Sequence, residues 1–229
     1  MLFRSGKGKV SYYLSQFADV CMRAGGGSNA EATFYHKGKD WRFRILPVGL
    51  LRGNIGMITD GVLVSCDHLV SEIYKVEKES GDMSDHFMIS GNAHVVLPYH
   101  LAKDAQMDEN VLKIDTIRQG IGAALADRAY RVGVNVDTFI NSGGEPQGHE
   151  EHWEAREEYV KILRKYRKNT KLYLAGLEKT DKKVFIQGSQ GFMLDNVHGT
   201  YPFVTSSHTS AAGLLQGAGL PYLSVRRNI

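Results

Sequence analysis

The chain has 229 residues and a mass of 25.5 kDa, room for one large α/β domain. With 42% hydrophobic and 23% charged residues it can bury a core, and a formal charge of +3 gives no general case for nucleic acid or an anionic membrane. Two cysteines, Cys21 and Cys66, exclude a disulfide scaffold and a Cys-rich zinc site. No apolar run approaches the roughly 18 residues of a membrane span. A reducing, cytoplasmic setting is therefore expected, with no nucleic-acid or membrane partner. Glycine is abundant, 25 residues against 5 prolines, and it is clustered, which suits backbone-cradled ligands.

In chain order, Gly6-Lys7-Gly8-Lys9 open a helical run in which Val10, Tyr13, Leu14 and Phe17 share one face. Glycines and lysines at a helix start make an anion site from free N–H groups and positive charge. No Ser or Thr follows Lys9, so the full Walker pattern is absent and a basic flexible start fits as well. A second glycine-rich loop spans 25–33. Phe34–His36 and Trp41–Ile45 flank a turn and predict a hairpin. Ile55–Thr59 and Val62–Val64 read as strands, followed by a helix over 66–78 capped by Ser65. Phe87–Ile89 and Ala93–Leu97 read as strands.

Gln119–Ala126 is a loop entering a helix that ends near Arg131. His149–Lys168 predicts a solvated helix, acidic first and basic later, with Glu157 and Lys161 as a supporting pair. His149-Glu150-Glu151-His152 has the wrong histidine spacing for a zincin site. Val184–Ile186 is a short strand running into the turn Gln187–Gly191, the kind of strand end where α/β proteins bind ligands. Thr205-Ser206-Ser207 can cap a helix over 211–216 that Gly217 stops, although capping explains one hydroxyl and not three.

The run Gly188-Ser189-Gln190-Gly191, then Asp195, then Gly199-Thr200-Tyr201-Pro202-Phe203-Val204-Thr205-Ser206-Ser207 closely resembles the adenylosuccinate synthetase signature G-x-Q-G, L-D, G-T-Y-P-x-V-T-S-S. Gly6–Lys9 resembles the end of that family's G-D-E-G-K-G-K loop, and Arg23–Thr33 its N-A-G-H-T loop. Ile45–Leu51 resembles L-I-P-S-G-I-L, and Ile121-Gly122 through Arg131 the stretch G-R-G-I-G-P-A-Y…R. The resemblance runs nearly end to end. It implies a P-loop-NTPase-like α/β fold with a mixed central sheet flanked by helices. It implies purine nucleotide biosynthesis, in which GTP drives ligation of L-aspartate to the 6-position of IMP, giving adenylosuccinate, GDP and phosphate. Mg²⁺ is the implied cofactor and a homodimer the implied assembly.

Carried over by position, the resemblance gives GTP contacts to Gly6, Lys7, Gly8, Lys9, Glu31, Ala32 and Thr33. It gives IMP contacts to Asn29, Ala30, Arg131, Gln190 and Thr205, with Arg131 reaching a neighbouring subunit. Gln190 stands beside the purine as the remaining catalytic position. The departures are specific. The place of the family's catalytic and Mg²⁺-binding Asp falls on Arg4, that of its general-acid His on Ala32, and that of the glycine whose carbonyl ligates Mg²⁺ on Glu31. Ile117 stands where the third stretch has threonine. Losing one acid–base group costs about 10²–10⁴ in rate.

Further expectations follow from the ends. Residues 1–229 are read as a single partial domain, lacking the first strand and the C-terminal part of the family and expected to be inactive and poorly soluble alone. Leu2-Phe3-Arg4-Ser5 is what CTC TTC CGA TCT encodes, the tail of a common sequencing adapter, so residues 1–5 are expected to be non-native. Two alternatives stand beside the main reading. One is a phage-type enzyme that ligates aspartate to dGMP, and the other is a non-catalytic nucleotide-binding paralogue.

Overall fold

The computed structural model describes residues 6–112, 116–149, 153, 155–177 and 179–221. Its centre is a five-stranded sheet of β1 (Val20–Arg23), β4 (Ile55–Ile58), β6 (Phe87–Ser90), β8 (Arg167–Lys168) and β9 (Val184–Gln187), in the order β8-β6-β4-β1-β9. A mixed sheet is expected from the sequence, but all four of these pairings are parallel. The antiparallel pairing lies apart, in the hairpin of β2 (Ala32–His36) and β3 (Lys39–Phe43). Its two-residue turn, Lys37-Gly38, has positive φ at both positions, which matches the strand twist. A small parallel pair, β5 (Leu63–Val64) and β7 (His94–Val95), completes the strands.

Two apolar layers sandwich the sheet. Ile58, Phe87 and Ile89 enter one core with α2 (Cys66–Ser80), α5 (Val136–Asn141), α6 (Arg156–Tyr166) and the hairpin. Val20, Met22, Met57 and Met88 enter the other with α7 (Thr170–Leu177) and α8 (Ala211–Ala218). β1 is wholly buried, so its Val-Cys-Met-Arg run shows no alternation for a period-two pattern to detect. Helices α3 (Pro98–Met107) and α4 (Ile121–Tyr130) pack on one another beside the sheet. No helix among the described residues is long and apolar enough to cross a membrane.

Several expectations are corrected. Helix α1 (Lys7–Ser15) ends before Phe17, and Val10, Tyr13 and Phe17 are exposed, with Gly8 and Ser15 the buried positions. Conversely, α6 is not solvated all round. It starts at Arg156 and buries Tyr159, Val160, Ile162, Leu163 and Tyr166. His149 lies outside that helix and stacks on Tyr99, while 150–152 lie outside the described residues. The cap of α8 is Ser210, which accepts from the Gly213 N–H, and not the 205–207 hydroxyls. That helix ends at Gly219 in the left-handed conformation, not at Gly217. Ser65 does precede α2, but its hydroxyl shares a hydrogen bond with His68 Nδ1 and caps no backbone N–H.

Candidate functional site

The alignment of strand ends builds the site. In the sheet register Arg23 lies level with Ile58 on one side and Gln187 on the other, so three strands finish on one row. The loops 24–31, 59–62 and 188–191 leave that row together at the carboxyl edge, where a parallel sheet offers a ligand crevice.

The loop after β1 threads between its neighbours with no spare volume. Gly26 has φ of 70°, and a Cβ there would run into the Ser189 hydroxyl, so both conformation and space demand glycine. Its carbonyl accepts from the Leu63 N–H at 2.9 Å. Asn29 Oδ1 accepts from the Gly27 N–H at 3.2 Å, folding the loop on itself. Asn29 Nδ2 then donates to Thr205 Oγ1 at 3.4 Å, and Gln190 Nε2 donates to the Asn29 carbonyl at 3.5 Å. Three residues proposed from distant parts of the sequence thus meet around one amide, with Ala30 next in the chain.

Gln190 is held with φ of 67°, a left-handed conformation in a residue other than glycine. The chain from Gly191 to Ser210 is folded around Asp195, which is fully buried and accepts from the N–H groups of Val197, His198, Thr209 and Ser210. Those donors hold its carboxyl well below the usual carboxylate range. Asp195 therefore sets the path that presents Thr205.

On the other side of Asn29, α1 meets the hairpin. A Cβ on Gly8 would come within 2.5 Å of the Thr33 amide nitrogen, so the amino end of α1 rests directly on β2. This contact joins Gly6–Lys9 to Glu31–Thr33, the two stretches assigned to GTP. Lys7 and Lys9 are exposed there. Ala32 is buried and paired with Phe43, so a methyl group facing the core stands where the resemblance calls for a histidine.

Behind the loop lies a charged core not foreseen from sequence. Glu72, on α2 and 4% exposed, accepts from the N–H groups of Arg44, Ile45 and Leu46 at 2.5, 3.2 and 2.9 Å. Burial pushes its carboxyl above the usual range, against the pull of those donors and of Arg23. Burial also draws the Arg23 guanidinium down to about 10, opposed by Glu72. Arg23 Nη2 donates to the Arg44 carbonyl at 3.0 Å, and Arg44 Nη1 donates to the Ser28 carbonyl at 2.9 Å. The Ser28 hydroxyl bonds Gln119 at 3.1 Å, which fastens the loop to the start of α4. Arg44 is visible in the sequence only as a polar residue in an alternating run, and Glu72 only as one of many helical carboxylates.

Arg131 stands apart from this cluster. It is the exposed C-cap of α4, a helix of ten residues and so about 15 Å long, whose other end is the one near Ser28. The residues present do not fit a protein-held Mg²⁺. No group of three His, Cys, Asp or Glu that could hold a metal occurs among the described residues. Position 4, the place of the family aspartate, is an arginine outside them.

The adenylosuccinate synthetase family model matches residues 5–147 and 144–229. An adenylosuccinate synthetase from Endomicrobium trichonymphae is 36% identical over 238 residues, covering 94% of this chain and 56% of that protein. One from Ligilactobacillus salivarius is 37% identical over 240 residues with the same coverage. The chain thus spans a little over half the length of these relatives. Among solved structures, a fully ligated adenylosuccinate synthetase from Plasmodium falciparum superposes with a TM-score of 0.83 at 28% identity, over 96% of this chain and 57% of that one. A cyanophage S-2L succinoaminodeoxyadenylate synthetase bound to dGMP and dATP shares the fold, with a TM-score of 0.69 at 24% identity over 96% and 57%.

Proposed function

The chain belongs to the adenylosuccinate synthetase family, and on that premise we propose that it supplies the nucleotide-holding part of a GTP-dependent ligase that joins L-aspartate to the 6-position of IMP. In that reaction a phosphoryl group passes from GTP to the 6-oxygen of IMP, and the aspartate amine then displaces it as phosphate. The observation that carries the reading is the meeting of Asn29, Gln190 and Thr205. A carbonyl, two amides and a hydroxyl on rigid loops at a strand-end crevice suit a purine monophosphate.

The roles follow from chemistry. Thr205 offers a hydroxyl to the monophosphate, Asn29 and Ala30 line the loop against the nucleotide, and Gln190 turns its amide to the base. Gly6, Lys7, Gly8, Lys9 and Thr33 flank the triphosphate. Arg131 serves a second copy of the chain in a homodimer. The resemblance implies Mg²⁺ for the triphosphate, but the described residues supply no side-chain set to hold it. With Ala32 in place of a proton donor, the groups named act by positioning and charge rather than acid–base transfer. Ala32 also gives substance to a second reading, a nucleotide-binding relative without turnover.

Calorimetric titration separates these. IMP is expected to bind at one site per chain and to bind more weakly in Asn29→Ala. Binding of dGMP without IMP would move the substrate to the phage type, and binding of neither would end the nucleotide reading. Adenylosuccinate formed from IMP, GTP and aspartate with Mg²⁺ would exclude the non-catalytic relative.

A further inference from the structure

We propose that the Glu31 carboxylate is an internal anion: held between the Thr33 hydroxyl and the Arg44 guanidinium, it occupies the place of one phosphoryl group of the triphosphate, which displaces it on binding. The inference rests on the nucleotide reading and adds to it how entry of the triphosphate is opposed.

The geometry is that of a held oxyanion. Glu31 Oε1 accepts from Thr33 Oγ1 at 3.2 Å, and Glu31 Oε2 lies 3.6 Å from Arg44 Nη2. Two oxygens of one anion thus span a hydroxyl donor and a cation, as two oxygens of a phosphoryl group would. The donors are fixed before any ligand arrives. Arg44 is anchored through its backbone N–H on Glu72, its carbonyl on Arg23 and its Nη1 on the Ser28 carbonyl, which leaves Nη2 turned to Glu31. Thr33 is fixed by β2 and by the contact of Gly8 on its backbone.

The anion, by contrast, is held loosely. The Glu31 and Arg44 side chains are 34% and 35% exposed, so the pair is reachable from solvent and contributes little by itself. Strand periodicity puts Glu31 and Thr33 on the open face of the hairpin, since Ala32 and Phe34 face the core. Arg42 lies directly opposite Thr33, is exposed, and forms no ion pair among the described residues. It gives an incoming phosphate a second positive charge beside the same hydroxyl.

A merely structural ion pair and a displaceable internal anion predict opposite results. The full chain is titrated with GTP, with pyrophosphate as a base-free probe, and separately with IMP. Glu31→Gln is expected to tighten GTP and pyrophosphate about tenfold, the scale of one charge-assisted contact. It should leave IMP within about twofold of the parent. Glu31→Gly, which also restores the family's residue, should act in the same direction. Arg44→Ala should weaken both anions and cancel the gain in the double variant. A thermal melt of each variant identifies loss of fold.

Unchanged or weaker GTP and pyrophosphate binding in both Glu31 variants would overturn the inference while intact IMP binding left the nucleotide reading standing. Loss of affinity confined to titrations with Mg²⁺ would also overturn it, by making the carboxylate a metal ligand. Failure of all three ligands with every variant would overturn the inference and the nucleotide reading together.

Discussion

On one side of Asn29 the candidate site is tied by half-buried neutral groups and one carboxylate that has traded water for four backbone N–H donors. On the other it is tied by charged side chains: Arg23 and Glu72 hold the Arg44 backbone, and the Arg44 guanidinium pairs with Glu31 at the surface. The first side keeps the residues expected of a purine monophosphate pocket. The second carries the substitutions, Glu31 and Ala32, and holds its loop with an ion network instead. The contrast teaches that one loop can be anchored by two different chemistries, with the anchor behind it independent of the residues in front.

The strongest test of that contrast is Glu72→Ala. It leaves three N–H groups without acceptors and Arg23 buried without its counter-charge, an expected loss of about 3–5 kcal/mol. Asp195→Ala is expected to cost about 3 kcal/mol, because four donors lose one buried acceptor. Chemical unfolding at several pH values then separates the two carboxylates by sign. The Asp195 carboxyl titrates below its ordinary value of 3.8, so its contribution is present above that pH and is lost as the pH falls towards the depressed value. The Glu72 carboxyl titrates above its ordinary 4.5, so its contribution is complete below that pH and declines as the pH rises through the elevated value. The gap between parent and Asp195→Ala should widen with rising pH and that for Glu72→Ala should narrow. Parallel curves would erase the distinction between the two sides.

Gly8→Ala probes the junction rather than the anchors. The added methyl meets the Thr33 and Ala32 backbone, which cannot swing away as a side chain could. About 1–3 kcal/mol of overpacking is expected. Because α1 must lift from β2 to relieve it, GTP affinity should fall while IMP affinity holds, as paired titrations would show. An equal fall in both would mean that the two sides are one mechanical unit.

What the sequence disclosed follows the same division. Asn29, Gln190 and Thr205 stand out in the sequence because they sit in dense motifs, and the structure adds that Gln190 and Thr205 each bond Asn29. The hairpin and α2 were legible because their alternation and helical spacing survive at a half-buried surface. β1 was not, since burial on both faces removes the alternation. The start of α3 left a sign in Pro98 at its first turn, where a missing N–H costs nothing. α1 and α6 show the reach of periodicity from opposite sides. Periodicity reports that a helix has an apolar face and says nothing of what covers it: in α1 that face is exposed, while the charged sequence of α6 conceals five buried residues. The Arg23–Glu72–Arg44 network was illegible because its members are spread over three elements and carry no motif.

The smallest expected effect on stability is also the most specific to function. Asn29→Ala removes a 3.4 Å bond to Thr205 and the acceptor of the Gly27 N–H, in a residue that is only half-buried, so water can replace both partners. A loss below about 1 kcal/mol follows. The backbone carbonyl that accepts from Gln190 survives the substitution, and so does the path fixed by Gly26 against Ser189 and Leu63. The loop should therefore keep its shape while losing the amide proposed to contact the nucleotide, and IMP affinity should fall about tenfold with GTP affinity unchanged. If Asn29→Ala instead lowered stability by as much as Glu72→Ala, the amide would be an anchor and not a contact. The two sides of the loop would then differ in residue type alone and share one role.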